Sequence, residues 1–309
     1  MDVHAKSPAQ VAVPAGGGIR VTKDKQVEPG HLYVVATPIG NLDDMGQRAI
    51  RVLQGVERIV AEDTRHSGKL LQRYSIQTPM AALHEHNERT VAPALVEQLR
   101  KGVSIALISD AGTPLISDPG FKLVQLARLS GLSVVPVPGA NAAICALSAA
   151  GLPTDRFVFE GFLPAKASAR RARLEKLQPE TRTLVFYESG HRIAESFADM
   201  AEIFGMQRQA VLARELTKQF ETILDGTLGE LVEVVQRDPD QQRGEMVVLV
   251  HGASRDRAVD ISPEDERILK VLLEDLPIRQ AAKLTARITG GNRRRLYDRA
   301  MNLRNDKIP

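Results

Sequence analysis

From His31 onward, short aliphatic runs alternate with amphipathic stretches. The runs at 32–36, 58–61, 79–83, 104–108 and 132–137 are largely apolar and β-branched or aliphatic, which predicts strands buried on both faces of a parallel sheet. Helical patterns fit at 44–55, 65–74, 88–101 and 119–130. Asp118 followed by Pro119 predicts the start of the last of these and Gly131 its end, while Asn87 and Gly102 bracket another. Strand–helix–strand repetition predicts a doubly wound α/β domain over 30–151, with its ligand crevice at the carboxyl ends of the strands.

The pattern changes after Gly151-Leu152-Pro153. Strands are predicted at 156–161, 182–187, 209–214, 219–225 and 245–251, with helices at 166–177, 190–204 and 227–236. The strands around Ala213 and Thr222 are too close in sequence for a helical crossover, so they are expected to pair antiparallel. A second α/β domain with a mixed sheet is therefore expected over 152–252.

Residues 253–309 read as a polar linker and a helical module. Ser262-Pro263-Glu264-Asp265 is a helix start, and two short helices around Gly290-Gly291 resemble a helix-turn-helix. Between Arg279 and Arg304, eight lysines and arginines face one acid, Asp298. That concentration of charge predicts phosphate contacts, with a solvated helical face as the plainer reading. At the other end, residues 1–29 contain Pro8, Pro14 and three consecutive glycines but no apolar run, so they read as a flexible leader rather than a signal peptide.

Composition narrows the picture only at its edges. A hydrophobic share of 43% supports a real core, and the net charge of +3 says little about partners. The one cysteine, Cys145, rules out a disulfide framework or a multi-cysteine metal site and suits a reducing cytoplasm. The longest uncharged stretch, 129–154, is broken by Pro136, Pro138 and Gly139, so no membrane span is expected.

The candidate chemistry sits in three Gly/Pro-rich loops, each directly after a predicted strand: 37–42, 109–120 and 137–141. Read singly, each is a set of ordinary turns. Three at the same end of one parallel sheet would rim a single cleft, and small residues there let a ligand approach the backbone. Neither a G-x-G-x-x-G fingerprint nor a G-x-x-x-x-G-K-[ST] motif is present, which argues against a pyrophosphate site. His84-Glu85-His86 lacks further nearby ligands, so no metal is expected there.

These loops carry a resemblance. Tyr33-Val34-Val35-Ala36-Thr37-Pro38-Ile39-Gly40-Asn41-Leu42, Ala61-Glu62-Asp63-Thr64-Arg65, the 109–120 loop, Pro138-Gly139-Ala140-Asn141, Phe186-Tyr187-Glu188-Ser189, Ala213-Arg214-Glu215-Leu216-Thr217-Lys218 and Gly244-Glu245-Met246-Val247 occur in this order. Over residues 31–304 the chain closely resembles the ribosomal small subunit methyltransferase I family of the tetrapyrrole-methylase superfamily. The resemblance implies a two-domain α/β fold and an S-adenosylmethionine-dependent 2′-O-methyltransferase. Its implied substrate is a cytidine in the decoding region of 16S ribosomal RNA, free or in the 30S subunit, and its implied state a homodimer.

By the same resemblance, Asp110, Ala111 and Thr113 belong to the cofactor loop, with Asn141 and Ala142 following and Pro38, Gly40 and Asn41 in the first loop. Tyr187, Leu212, Ala213 and Met246 would close over the adenosine from the second domain. Glu62, Asp63 and Arg65 are the candidate catalytic residues, with His84, Glu85 and His86 nearby as further candidate bases. Arg170 and Arg171, on a basic helix with Lys166, Arg173 and Lys176, join Arg293, Arg294 and Arg295 as candidate RNA contacts. Two separated basic patches suit a long polyanion better than a compact one. With 4% aromatic residues and no tryptophan, phosphate contacts rather than base stacking should dominate. Two other classes compete: a small-molecule methylase on the same fold, and a non-catalytic nucleic-acid-binding regulator.

Overall fold

The structure, a computed structural model, describes residues 27–254, 261 and 263–305. Residues 1–26 of the expected leader, 255–260 of the linker and the predicted cap Ser262 lie outside the described residues.

The first sheet contains β1 Leu32–Val35, β2 Arg58–Ala61, β3 Met80–Ala82, β4 Ile105–Ile108 and β5 Val134–Val137. Its order is β3-β2-β4-β1-β5 and every pairing is parallel. Helices α1 Gln47–Gly55 and α2 Thr64–Arg73 contribute Val52, Leu53 and Leu71 to the core on one face. On the other face, α3 Glu88–Arg100 and α4 Phe121–Leu129 contribute Leu95, Leu99 and Leu123. Both faces are thus covered, which explains the unbroken apolar runs. Pro136 sits in β5, which pairs only with β1, so its missing N–H is tolerated at the edge.

One predicted boundary is wrong in an instructive way. Helix α4 starts at Phe121, not Pro119, and its N-cap is Gly120 at φ 121° rather than Asp118. A Cβ on Gly120 would meet Leu107 Cδ2 at 2.6 Å, so both conformation and contact require glycine. The cap hydrogen bonds come instead from α3, where Glu88 Oε1 accepts from the amides of Lys122 and Leu123 at 2.7 and 3.1 Å.

The second sheet is mixed. Strands β6 Phe157–Phe162, β7 Thr183–Ser189, β8 Gln209–Arg214, β9 Thr222–Thr227 and β10 Glu245–Val250 run in the order β6-β7-β10-β8-β9. Only β6 and β7 pair in parallel, and β8 with β9 is antiparallel as the short connection predicts. Strict alternation divides each central strand between two cores. Phe186, Leu212 and Val248 face α6 Ala167–Leu177, α7 Gly190–Phe204 and α8 Leu228–Arg237. Val185, Val211 and Val247 face α5 Ala142–Ala149, which joins the two halves by burying Ala143, Ala146 and Leu147 against this sheet.

Three further helices, α9 Pro263–Asp275, α10 Ile278–Thr289 and α11 Arg293–Asn305, pack on a core of Leu269, Ala281, Ala282, Leu296 and Ala300. Among the described residues, no helix is long and apolar enough to cross a membrane.

Candidate active site

The three loops converge at the carboxyl ends of the first sheet and are tied to one another. Thr37 exchanges backbone hydrogen bonds with Gly112 at 2.9 and 3.1 Å, and its hydroxyl donates to the Ser109 carbonyl at 3.2 Å. Thr113 Oγ1 donates to the Ala140 carbonyl at 2.9 Å, joining the second loop to the third. Asn141 then caps α5 by accepting from the Ile144 amide at 3.1 Å.

Across from these loops stand the ends of β7, β8 and β10. Together they enclose a cleft of about 330 Å³ lined by Ala111, Thr113, Asp118, Tyr187, Ala213 and Met246, among others. This is a small-molecule volume. Its wall is aromatic: Tyr187 meets Phe159 and Phe162 edge to face, with ring centroids 4.9 and 5.6 Å apart. The Tyr187 hydroxyl accepts from the Ala143 amide at 3.3 Å, fastening the wall to the start of α5.

Two turns at the cleft hold non-glycine residues in the left-handed region. Leu115 and Ser117 have φ 73° and 70°, and Glu215 and Thr217 have φ 52° and 66°. Such conformations persist where surrounding contacts impose them, and they concentrate at binding sites. Gly40 shows one such contact, since a Cβ there would meet Lys218 Cγ at 2.4 Å and Thr217 Oγ1 at 2.9 Å. The Asn41 amide donates to Thr217 Oγ1 at 3.1 Å, so the first loop clasps the turn after β8.

Ala111, Thr113, Asn141, Ala142, Tyr187, Ala213 and Met246 all line the cleft, whereas Pro38, Gly40, Asn41 and Asp110 are not among the lining residues. Asp110 accepts from the Asp63 amide at 3.1 Å. Leu212 is a correction: it is fully buried on the opposite face of β8, and alternation turns its side chain away from the cleft.

The three acid–base candidates separate. Asp63 is the N-cap of α2 and accepts from the Arg65 and His66 amides, bonds that hold its carboxyl below the usual range. It is thereby committed to helix α2 rather than to the cleft. The Arg65 side chain is exposed, 3.8 Å from Asp63. Burial and the neighbouring Asp110 push Glu62 up, but it too lies outside the lining. Of the charged residues in the motif Ala213–Lys218, Lys218 lines the cleft and bonds to Glu215 and Glu245 at 2.8 and 2.9 Å. Arg214 is buried and bonds to Thr222, Phe220 and Arg243.

Asp118 is among the cleft residues that sequence reasoning missed, with Phe162, Glu188 and Glu245. Burial first, and then the charge of Glu62, push its carboxyl up to about 6. The only signal for it was an acid inside a Gly/Pro-rich loop after a strand, and the Asp-Pro helix start explained that equally well.

The basic helix α6 is also a correction. Arg170 is only 2% exposed, and its guanidinium bonds to Asp199 at 2.6 Å and Glu195 at 3.2 Å. Arg171 pairs with Asp199 and Glu202, and Arg173 with Glu160. Acids distant in sequence thus neutralise most of this patch, and buried Arg170 is a packing ion pair rather than a phosphate contact. Arg293, Arg294 and Arg295 are exposed on α11.

Comparison with known proteins agrees with this architecture. Residues 31–232 match the family model for Tetrapyrrole (Corrin/Porphyrin) Methylases, and residues 259–304 match the RsmI C-terminal HTH domain. The chain is 57% identical over 273 residues to a Pseudomonas aeruginosa protein named Ribosomal RNA small subunit methyltransferase I, covering 88% of this chain and 97% of that one. A Neisseria meningitidis protein of the same name is 46% identical over 276 residues, covering 89% and 94%. In fold, the chain is similar to the crystal structure of the methyltransferase CobJ, with a TM-score of 0.56 and 19% identity over 72% of this chain and 95% of that one.

Proposed function

The chain belongs to the ribosomal RNA small subunit methyltransferase I family, on the tetrapyrrole-methylase fold, and from that premise we propose that it methylates the 2′-oxygen of a cytidine ribose in the decoding region of 16S ribosomal RNA. The methyl donor is S-adenosylmethionine, which supplies an electrophilic methyl group on a sulfonium cation.

The observation that carries this reading is the chemistry of the cleft lining. Its charged side chains are Asp118, Glu188 and Glu245 against Lys218, and that lysine is already paired with two acids. Such a lining disfavours a phosphorylated cofactor and suits a cation. Tyr187, Phe162, Ala213 and Met246 offer an apolar slot for an adenine, while loop backbone at Ala111–Thr113 and Asn141 offers donors and acceptors for the amino-acid and ribose ends. The residues present therefore fit this cofactor. Holding the ribose hydroxyl at near-attack distance from the methyl group accounts for up to ~7–11 kcal/mol of barrier lowering in well-oriented systems.

A macromolecular acceptor is supported by the tail, where Arg293, Arg294 and Arg295 project from α11. The test is transfer of tritiated methyl from the cofactor to 30S subunits lacking the modification, followed by mapping of ribose methylation. Label in a cytidine 2′-O-methyl group is expected. Label on a base, or transfer to uroporphyrinogen instead of RNA, would end this reading.

A further inference from the structure

We propose that Asp118 is the catalytic base of this methyl transfer, taking the proton of the attacking ribose hydroxyl. The proposal deepens the reading above and rests on a hydroxyl acceptor.

Three carboxylates line the cleft, Asp118, Glu188 and Glu245. Glu188 is buried and committed, accepting from the Ser189 amide at 2.9 Å and Ser196 Oγ at 2.6 Å, with Arg192 3.5 Å away. Glu245 holds Lys218. Asp118 lies near the Ser109 hydroxyl, whose one proton is shared with the Ala111 and Gly112 carbonyls at 3.3 and 3.4 Å. Its carboxylate therefore keeps acceptor positions for a ligand.

The loop presents Asp118 deliberately. Ser117 before it has φ 70°, Gly120 after it φ 121°, and Gly161 at the irregularity in β6 approaches Ser117 so closely that a Cβ would stand 3.1 Å from Ser117 Oγ. Two halves of the molecule thus fix the loop. The charged groups around Asp118 are acids: Glu62 after β2 and Asp110 on its own loop. From β7 it faces the Tyr187 phenol, itself pushed up by burial and by Asp118. The remaining ionisable groups of the lining are Glu188, Lys218 and Glu245.

This surrounding raises the proton affinity of Asp118 while leaving it ionised at pH 7, which is the condition for an effective base. The chemistry balances. The 2′-O–H bond breaks and its proton passes to Asp118. The oxygen–methyl bond forms, and the electron pair of the sulfur–methyl bond returns to sulfur as a neutral thioether. One cation and one carboxylate become two neutral groups.

The test combines kinetics with measurements on the ligand-free protein. With 30S subunits and saturating cofactor, wild-type kcat is expected to rise through an apparent pKa near that of Asp118. Asp118→Asn should lower kcat by about 10²–10⁴-fold and remove that limb, while calorimetry finds cofactor affinity, to which the lost charge also contributes, falling far less than the rate. Carbon-13 NMR of ligand-free protein should show the Asp118 carboxyl titrating well above the ordinary aspartate range. Glu62→Gln, which deletes a neighbouring charge, should shift that titration downward. An Asp118 titration at an ordinary value overturns the assignment whether or not Asp118→Asn folds. So does an unchanged pH limb in Asp118→Asn, or loss of cofactor affinity in step with loss of rate. If wild-type label maps to a base, the acceptor reading falls with it; ribose label with an unaffected variant overturns the role of Asp118 alone.

Discussion

Glu88, the first residue of α3, accepts the backbone amide of Lys122 at 2.7 Å and so caps the helix that follows the cofactor loop. The same oxygen takes the Leu123 amide, and the carboxylate is buried. Glu88→Ala leaves these amides without their partner and should destabilise the protein by about 1–3 kcal/mol. Urea denaturation measures this. Because α4 anchors the 109–120 loop, cofactor affinity is expected to fall as well.

Adjacent residues of β8 should respond in opposite ways. Leu212→Ala opens the core beneath α7 and is expected to cost about 2–5 kcal/mol with little change in cofactor binding by the folded protein. Ala213→Leu fills the cleft and should weaken cofactor binding more than stability. Denaturation and calorimetry on the pair separate the two; cofactor affinity lost equally in both would contradict the side-chain alternation.

Arg170 and Arg171 make a second contrasting pair. Removing the buried Arg170 takes from the buried Asp199 carboxylate one of its two arginine partners and should cost about 1–3 kcal/mol, whereas loss of the exposed Arg171 should cost less. Neither loss should change the salt dependence of RNA binding in the molecules that remain folded. A flattened salt dependence in Arg170→Ala would restore it as a phosphate contact.

Reversing charge at Arg293, Arg294 and Arg295 should raise the apparent KM for RNA and flatten its dependence on salt. Each phosphate contact removed takes about 0.7–0.9 from the slope of log affinity against log salt. Cofactor affinity, measured by calorimetry, should stay where it was.

Asp118 should also leave a mark on stability. Its carboxyl is raised to about 6 in the folded chain, so folding favours the protonated form. Stability is then lost as pH climbs from the unfolded value of ~3.9 toward the folded one and stays reduced above it. Asp118→Asn should remove this loss, gaining on wild type across that window and keeping the gain at higher pH. Denaturation curves at pH 4 and 8 decide it.

Much of this architecture is legible in the sequence. Unbroken apolar runs announced a covered parallel sheet, and loops following them announced the cleft, because both patterns are local. What escaped depended on partners far away in the chain. Asp118-Pro119 is a sound helix start until Glu88, about thirty residues earlier, supplies the cap instead. Arg170 sits in a basic run whose neutralising acids, Glu195 and Asp199, lie on another helix. For Leu212 the information was present, since alternation from Ala213 already assigns it to the other face.

The division of β8 between two faces reaches beyond binding. Every second residue turns to the core shared with α5, which opens to the chamber at Ala213, and the intervening ones to the frame beneath α6, α7 and α8. Variation that retunes ligand preference can therefore enter this strand only at Ala213, since Val211 on the same face is buried against α5. A deletion of a single residue would exchange wall for frame along the rest of the strand and spoil both at once.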